Sequence, residues 1–382
     1  MKIKIKGFIT SKKSELYSDC ADNYAVNIEH NKFAISDGVS KSFFPKVWSD
    51  ILANKYVSQK DWKDEEFIIE CQKEWHAKID EIVSQPETKW FTKSQYNRKD
   101  PALATFVGLQ FLETEQKWIA QALGDSFLFF IPKGSIEIEI KLSSKLEPIV
   151  FDNFPDYLSS IGNSHKGEKK PIKGEKIKEG TFYLMTDALA EWFLQNTELT
   201  IPKLKNIQNQ EQFLVTIEDE RNTNRLNDDD SALLIIEVFD DGKKAFSYSN
   251  EREITLLSDI IKQQVEEIEE SKKKEISSQV SLNVNVEESK EEEQLPKEED
   301  SESKVTKQVE QSSENITSDD EKLDEKITAD EGEGFVENLS ENIERSESNI
   351  ISEEKKEEET SSEQTQNVIP ENPKTKSIFD KF

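Results

Sequence analysis

Four apolar runs in this chain each meet an aspartate, and that recurrence limits its fold more than any other feature. Lys32-Phe33-Ala34-Ile35-Ser36-Asp37 runs straight into Gly38. It reads as a buried strand ending in a carboxylate, followed by a glycine that lets the backbone approach closely. Tyr183-Leu184-Met185-Thr186-Asp187 repeats the shape, and Ala122-Leu123-Gly124-Asp125 is a looser copy. Asp228-Asp229-Asp230 is a mirror copy, placed just before Ser231-Ala232-Leu233-Leu234-Ile235-Ile236. If these tips meet at one edge of a sheet, four or five carboxylates converge. Such a cluster repels itself until protons or cations neutralise it. No Cys or His cluster accompanies the acids, so the hard oxygen donors favour Mg²⁺ or Mn²⁺.

The rest of the chain supplies strands and helices to carry those tips. Lys2 to Ile9 alternates and reads as an edge strand. Asp22 to Glu29 and Phe33 to Ser36 form a hairpin around His30-Asn31, which puts Asp22 and Asp37 at the same end. Pro45 suits the first turn of a helix carrying Val47, Trp48, Ile51, Leu52 and Val57. A second helix runs from about Asp64 to Val83, and Pro86 to Pro101 reads as a polar connection. Strands follow at Ala104 to Leu112, Lys117 to Leu123, Phe127 to Ile131 and Ile136 to Leu142. Lys145 to Gly180 looks like a long functional loop. Then come a strand at Thr181 to Thr186, a helix at Ala188 to Gln195 and another from about Gln210 to Glu220. Ser231 to Phe239 and Lys244 to Tyr248 read as a closing hairpin around Asp240-Asp241-Gly242.

Charge and aromatic content divide the chain. All six Trp lie between Trp48 and Trp192, whereas Phe335 is the only aromatic residue from Ser281 to Thr360. That stretch holds 28 acidic and nine basic residues, a net of −19 out of −29 for the whole chain. It has too little apolar content to bury a core, so the folded part is about the first 250 residues. The expected division is a domain over 1–250, an amphipathic helix over 251–274, a disordered acidic linker over 275–373 and a basic, aromatic docking peptide over 374–382. A protein partner is expected for that last peptide. Cys20 and Cys71 give no disulfide framework, which suggests a reducing cytoplasm. Met1-Lys2-Ile3-Lys4-Ile5-Lys6 is no signal peptide, and no apolar run is long enough to span a membrane. The acidic balance argues against nucleic acid as a partner.

Taken in order, the motifs resemble a family. Asp22, Phe33-Ala34-Ile35-Ser36-Asp37-Gly38, Ala104-Thr105-Phe106, Leu123-Gly124-Asp125-Ser126, Leu184-Met185-Thr186-Asp187 and Asp229-Asp230-Ser231-Ala232-Leu233 together look like the type 2C metal-dependent serine/threonine protein phosphatases, most of all the bacterial branch. The resemblance covers about Lys6 to Phe239. It implies an α+β fold of two packed antiparallel sheets flanked by helices, a four-layer αββα sandwich. It also implies two Mn²⁺ or Mg²⁺ ions. Asp37 would bridge both, Asp187 and Asp229 would hold one, and the Gly38 carbonyl with a water held by Asp22 would serve the other. Asp125 matches a position that helps hold a third, weaker ion. Asp37, Asp187 and Asp229 are then the catalytic carboxylates. The implied activity is hydrolysis of phosphoserine and phosphothreonine by a metal-activated water, with a phosphoprotein as substrate and a cognate kinase as counterpart.

The sequence departs from that family in places. The usual Gly-Gly pair is Ser40-Lys41-Ser42, the second Asp-Gly is Asp187-Ala188, and the usual Asp-Asn is Asp229-Asp230. The family's phosphate-binding Arg, five residues before the Asp22 position, is Tyr17. Lys12, Lys13 and Lys41 are the candidate replacements. These changes keep a second reading open, an inactive phosphatase fold that serves as a binding or scaffolding module. The simplest roles elsewhere are structural: a turn former for a lone strand-end Asp such as Asp125, buried apolar positions for Cys20 and Cys71, a turn for His30, and surface positions for His76 and His165. Asp228 and Asp230 remain alternatives to Asp229 as a ligand.

Overall fold

The computed structural model describes residues 1–59, 64–152 and 155–273. In chain order, the first elements are β1 (Lys2–Thr10), a 3-10 turn (Tyr17–Asp19), β2 (Asp22–Asn27), β3 (Lys32–Asp37), α1 (Pro45–Ser58), α2 (Asp64–Ser84) and α3 (Trp90–Arg98). Next come β4 (Leu103–Ala104), β5 (Phe106–Leu112), β6 (Lys117–Leu123), β7 (Phe127–Pro132), β8 (Ile140–Leu142), β9 (Leu158–Ser159), β10 (Lys170–Lys176) and β11 (Gly180–Met185). The last are α4 (Asp187–Gln195), α5 (Thr197–Asn206), α6 (Gln210–Asn222), β12 (Ser231–Phe239), β13 (Ser247–Tyr248) and β14 (Glu253–Ile254). A further helix covers 257–273. The chain divides into two units, Met1–Glu266 and Glu267–Phe382, and the architecture below belongs to the first. The expected acidic linker and docking peptide lie outside the described residues.

The first unit is an α+β fold built on two sheets. One has the order β13-β1-β12-β11-β7-β8, with β14 also beside β1, and the other has the order β10-β6-β5-β3-β2. All pairings are antiparallel except those of β13 and β14 with β1. The two-residue period of each strand sorts its side chains into layers. In β11, Phe182 faces the other sheet, packing at a tilt on Phe111 and edge-on to Trp118 at centroid distances of 5.3 and 5.1 Å. Its neighbours Tyr183 and Met185 face the opposite way, into a core shared with Leu189, Trp192 and Phe193 of α4 and Phe213 and Ile217 of α6. On the far side of the second sheet, Ala25, Ala34 and Phe106 pack with Trp48, Ile51 and Leu52 of α1 and Phe67, Cys71 and Trp75 of α2. The layers are therefore helix, sheet, sheet, helix, as in the expected sandwich.

Several local expectations are corrected. The Pro86 to Pro101 connection contains α3, which buries none of its residues and so leaves no apolar stripe to read. Lys145 to Gly180 contains β9 and β10, and β10 forms the edge of the five-stranded sheet, with a register shift between Ile172 and Glu175. Lysines and a bulge are how edge strands resist further pairing, and here they hide the strand from an apolar pattern. Only Ile140–Leu142 of the expected Ile136 to Leu142 strand pairs with β7. The chain after β12 does not fold back as a hairpin. Instead β13 reaches β1 and pairs with it in parallel, Lys2 opposite Ser247. That pairing and β14 also mean that β1 is flanked on both sides and is not an edge. α5 is not among the expected elements, and the start of the expected 251–274 helix is instead β14, with helix over 257–273.

Candidate active site

Strand register gathers the aspartates. In the β2–β3 hairpin Asp22 stands directly opposite Asp37. The end of β3 is then tied to its other neighbours: Thr105 N donates to Asp37 O at 2.8 Å, Ser36 Oγ donates to Thr105 O at 2.6 Å, and Thr105 Oγ1 pairs with Ser126 Oγ at 2.6 Å. These contacts bring the Ala104-Thr105-Phe106 and Gly124-Asp125-Ser126 segments to the tip of β3. Gly38 follows in a tight place. A Cβ there would lie 2.8 Å from Pro45 O and 2.9 Å from Ala21 O, so only glycine fits without moving backbone. In the first sheet Met185 pairs with both Phe127 and Leu233, so Asp125, Asp187 and Asp228–230 all leave their strands at one end. Thr186 fixes that end by accepting from Ala232 N through Oγ1 at 3.0 Å.

The electrostatics follow from this convergence. Burial, first, and then Asp230 and Asp187 push the Asp22 carboxyl well above the usual range. Asp37 is likewise raised, by removal from water and then by Asp22, Asp187 and Asp125. Asp187 is pushed up to about 7 by burial, Asp125 and Asp229. Asp125 rises to about 6 by burial, against the pull of Lys145. Asp22 Oδ2 and Asp125 Oδ1 are fully buried and have no hydrogen-bond partner. Orphaned carboxylate oxygens of this kind call for a cation or a proton. As the side chains stand, no three acidic, His or Cys groups among the described residues lie close enough together to hold an ion.

The three aspartates before β12 have separate surroundings. Asp230 is buried and accepts from Ala21 N at 2.8 Å and Lys12 N at 3.0 Å, clamping the two loops together. Asp228 accepts from Lys13 N at 3.0 Å. Asp229 has neither backbone clamp; its Oδ1 takes Asp230 N at 2.8 Å and the Lys12 ammonium at 3.2 Å. Among the candidate lysines, Lys12 Nζ also donates to Ser40 Oγ at 3.1 Å. Lys13 Nζ turns to Asn222 at 2.9 Å, and Lys41 is exposed. Two neighbours escaped the sequence reading. Arg221 of α6 donates to Ser11 O and Asp229 O, so it props the loop from behind, and Lys145 stands against Asp125. Arg221 reaches Ser11 across 210 residues and Lys145 reaches Asp125 from the far side of β7 and β8, so no local pattern marks either.

No family model matches the chain, and no curated protein aligns with it significantly. Solved structures do overlap it. The photosystem II phosphatase PBCP is 12% identical, covering 62% of this chain and 99% of its own, with a TM-score of 0.43. PppA, a regulatory component of T6SS in Pseudomonas aeruginosa, is 10% identical over 63% of this chain and 99% of its own, with a TM-score of 0.40. The catalytic domain of the serine threonine protein phosphatase PstP, in complex with two manganese ions, is 11% identical over 62% of this chain and 100% of its own, with a TM-score of 0.39. Overlaps at these identities and scores carry no weight for activity. By the order of its motifs and by its four-layer topology, the chain is similar to the type 2C protein phosphatases, with a diverged sequence.

Proposed function

We propose that this chain is a metal-dependent protein phosphatase that hydrolyses phosphoserine and phosphothreonine. One observation supports this above the rest: buried strand-tip carboxylates converge at one end of the sandwich, and Asp22 Oδ2 is left without a partner. Several hard, anionic oxygens with no sulfur or imidazole among them suit Mn²⁺ or Mg²⁺. Asp37, Asp187 and Asp229, with the Gly38 carbonyl and Asp22, would hold two such ions. When bound, the ions lower the pKa of water and neutralise phosphoryl charge.

The chain's own residues do the remaining work. Asp37 and Asp187 are fixed at strand ends whose backbones are tied by Thr105 and Thr186, so the site is held on rigid elements. Lys12 is the phosphate anchor among the three candidates. Its ammonium, held between Asp229 and Ser40, lies at the cluster and part-exposed, where it meets a phosphate dianion that the acids would otherwise repel. The pull of Asp229 and Asp230 outweighs burial and raises the pKa of Lys12, so it stays charged. The substrate is a phosphoprotein made by a cognate serine/threonine kinase. The setting is cytoplasmic, consistent with two free, buried thiols. Among the described residues no helix is long and apolar enough to cross a membrane.

The test is phosphate release by the full chain from a phosphoserine peptide, with and without Mn²⁺. Release that needs Mn²⁺, stops with EDTA and is absent in Asp37→Asn is the expected result. A chain that binds Mn²⁺ and releases nothing from any phosphopeptide would be a scaffold.

A further inference from the structure

Besides Lys12 at Asp229, the cluster has a second and more deeply buried ammonium, at Asp125. Asp125 is 1% exposed, and its Oδ2 lies 3.6 Å from the Lys145 ammonium. The same ammonium reaches Asp152 Oδ1 at 3.2 Å, and the Lys145 side chain is only 14% exposed. This contact is built into the backbone. Ser144 N donates to Gly124 O at 3.2 Å, and Gly124 N donates back to Ser144 Oγ at 2.8 Å. Ser143 Oγ also donates to Gly124 O, at 3.3 Å, and Lys145 N donates to Ser143 Oγ at 2.9 Å. The segment after β8 is thus laced to the residue immediately before Asp125, and Lys145 leaves that segment beside the carboxylate. Gly124 is itself packed tightly against two further segments. It has φ +101°, and a Cβ there would come within 2.5 Å of Thr105 Cβ and 2.8 Å of Asp156 O.

We infer that Lys145 is a tethered counter-ion that occupies the cation position at Asp125 and keeps a further metal ion out of it. The inference builds on the metal-dependent reading of the cluster and refines it: ions are taken up at Asp37, Asp187 and Asp229, while Asp125 is served from within the chain. An ammonium and a divalent ion compete for the same oxygens, and a lysine anchored by its own backbone competes at high effective concentration. Its second partner, Asp152, lies in the connection between β8 and β9, so the pairing also holds that connection against the site.

The experiment is a count of bound Mn²⁺ by isothermal titration, on the full chain and three variants: Lys145→Met, Lys145→Arg, and Lys145→Met/Asp125→Asn. Weak uptake by acidic residues elsewhere is common to all four and cancels in the differences. Lys145→Met is expected to gain one equivalent over wild type, Lys145→Arg to match wild type, and the double variant to lose the gain. No gain in Lys145→Met, or a gain that survives Asp125→Asn, overturns the inference. If Lys145→Met fails to fold, Lys145→Gln and Lys145→Ala remove the same ammonium. Each should then lower the Mn²⁺ concentration needed for the last equivalent by tenfold or more, and unchanged titrations in both would be equally fatal. The broader reading fails separately, if Asp37→Asn binds as many ions as wild type.

Discussion

The chain buries carboxylates in two places and treats them in opposite ways. At one, Glu220 of α6 is 2% exposed, yet Lys203, Arg225 and Trp192 Nε1 all donate to it. Arg225 first, and then Lys203 and Trp192, outweigh burial and draw its pKa down to about 2. At the other, Asp22 and Asp37 face each other across a hairpin with Asp187 close by, burial raises all three, and Asp22 Oδ2 has no partner. A carboxylate that serves the fold is satisfied within the fold. One that is buried, crowded by its own kind and left with orphaned oxygens lowers stability, and a chain keeps it where it serves a ligand. The contrast sets a structural acid apart from those proposed to bind metal, without reference to any relative.

The largest expected effect tests the functional side. Asp37→Asn and Asp187→Asn should each reduce Mn²⁺-dependent phosphate release to background. The metal-free melting temperature should hold or rise, since one repelling charge is gone. Near wild-type turnover in either variant, with Mn²⁺ present, would remove the site assignment. Next in size is Lys12→Met. Losing a charged contact to phosphate costs about 1.5–3 kcal/mol, which is roughly a ten- to hundredfold fall in kcat/KM. The loss should fall mainly on KM, and Lys13→Met, whose ammonium is turned to Asn222, should change little. Equal effects from the two lysines would defeat the choice of Lys12.

The structural side is expected to answer differently. Glu220→Ala leaves Trp192 Nε1 buried without its acceptor, while Lys203 and Arg225, both partly exposed, regain water. A loss of about 1–3 kcal/mol in stability is expected, with Mn²⁺ dependence intact. Chemical denaturation and activity measured side by side would check it. A variant of unchanged stability would mean that the two carboxylate environments are less different than their partners suggest.

How far the sequence foretold each region follows from how local its contacts are. The pairing of Asp22 with Asp37 was legible because a hairpin fixes register within sixteen residues, and a glycine after Asp37 marked the tight approach to Pro45. The order of the sheets was not legible from pattern alone, because β12 pairs with β1 across more than two hundred residues. β10 was hidden by its lysines and bulge, and α3 by having no buried face. The cations were the least legible. Arg221 and Lys145 reach the acids only after the chain has folded, and nothing in their neighbouring residues sets them apart from the chain's other basic residues. The choice of Lys12 over Lys13 and Lys41 likewise needed side-chain positions, since two of the three are adjacent in sequence.

The smallest expected effect is in the pH dependence of metal-free stability, where the two regions should show opposite slopes. Asp187 and Asp125 have folded values of about 7 and about 6, above the usual carboxylate value of 3.8. Between pH 4 and 7 the folded chain therefore holds more protons at these groups than the unfolded chain, and stability falls as pH rises through that window. Glu220 behaves the other way. Its folded value of about 2 lies below the usual 4.5, so its contribution is present above pH 4.5 and is lost as pH falls toward 2. Metal-free protein should thus be less stable at pH 7.5 than at pH 5, by a few degrees in melting temperature. Asp187→Asn should flatten that decline, because an amide has no proton to lose. Glu220→Gln should leave it unchanged and instead reduce the loss of stability below pH 4. Saturating Mn²⁺ should reverse the sign between pH 5 and 7.5, since ion uptake requires the acids to be ionised. A metal-free melting temperature that climbs from pH 5 to 7.5 would show that the strand-tip acids are already compensated within the fold, as Glu220 is.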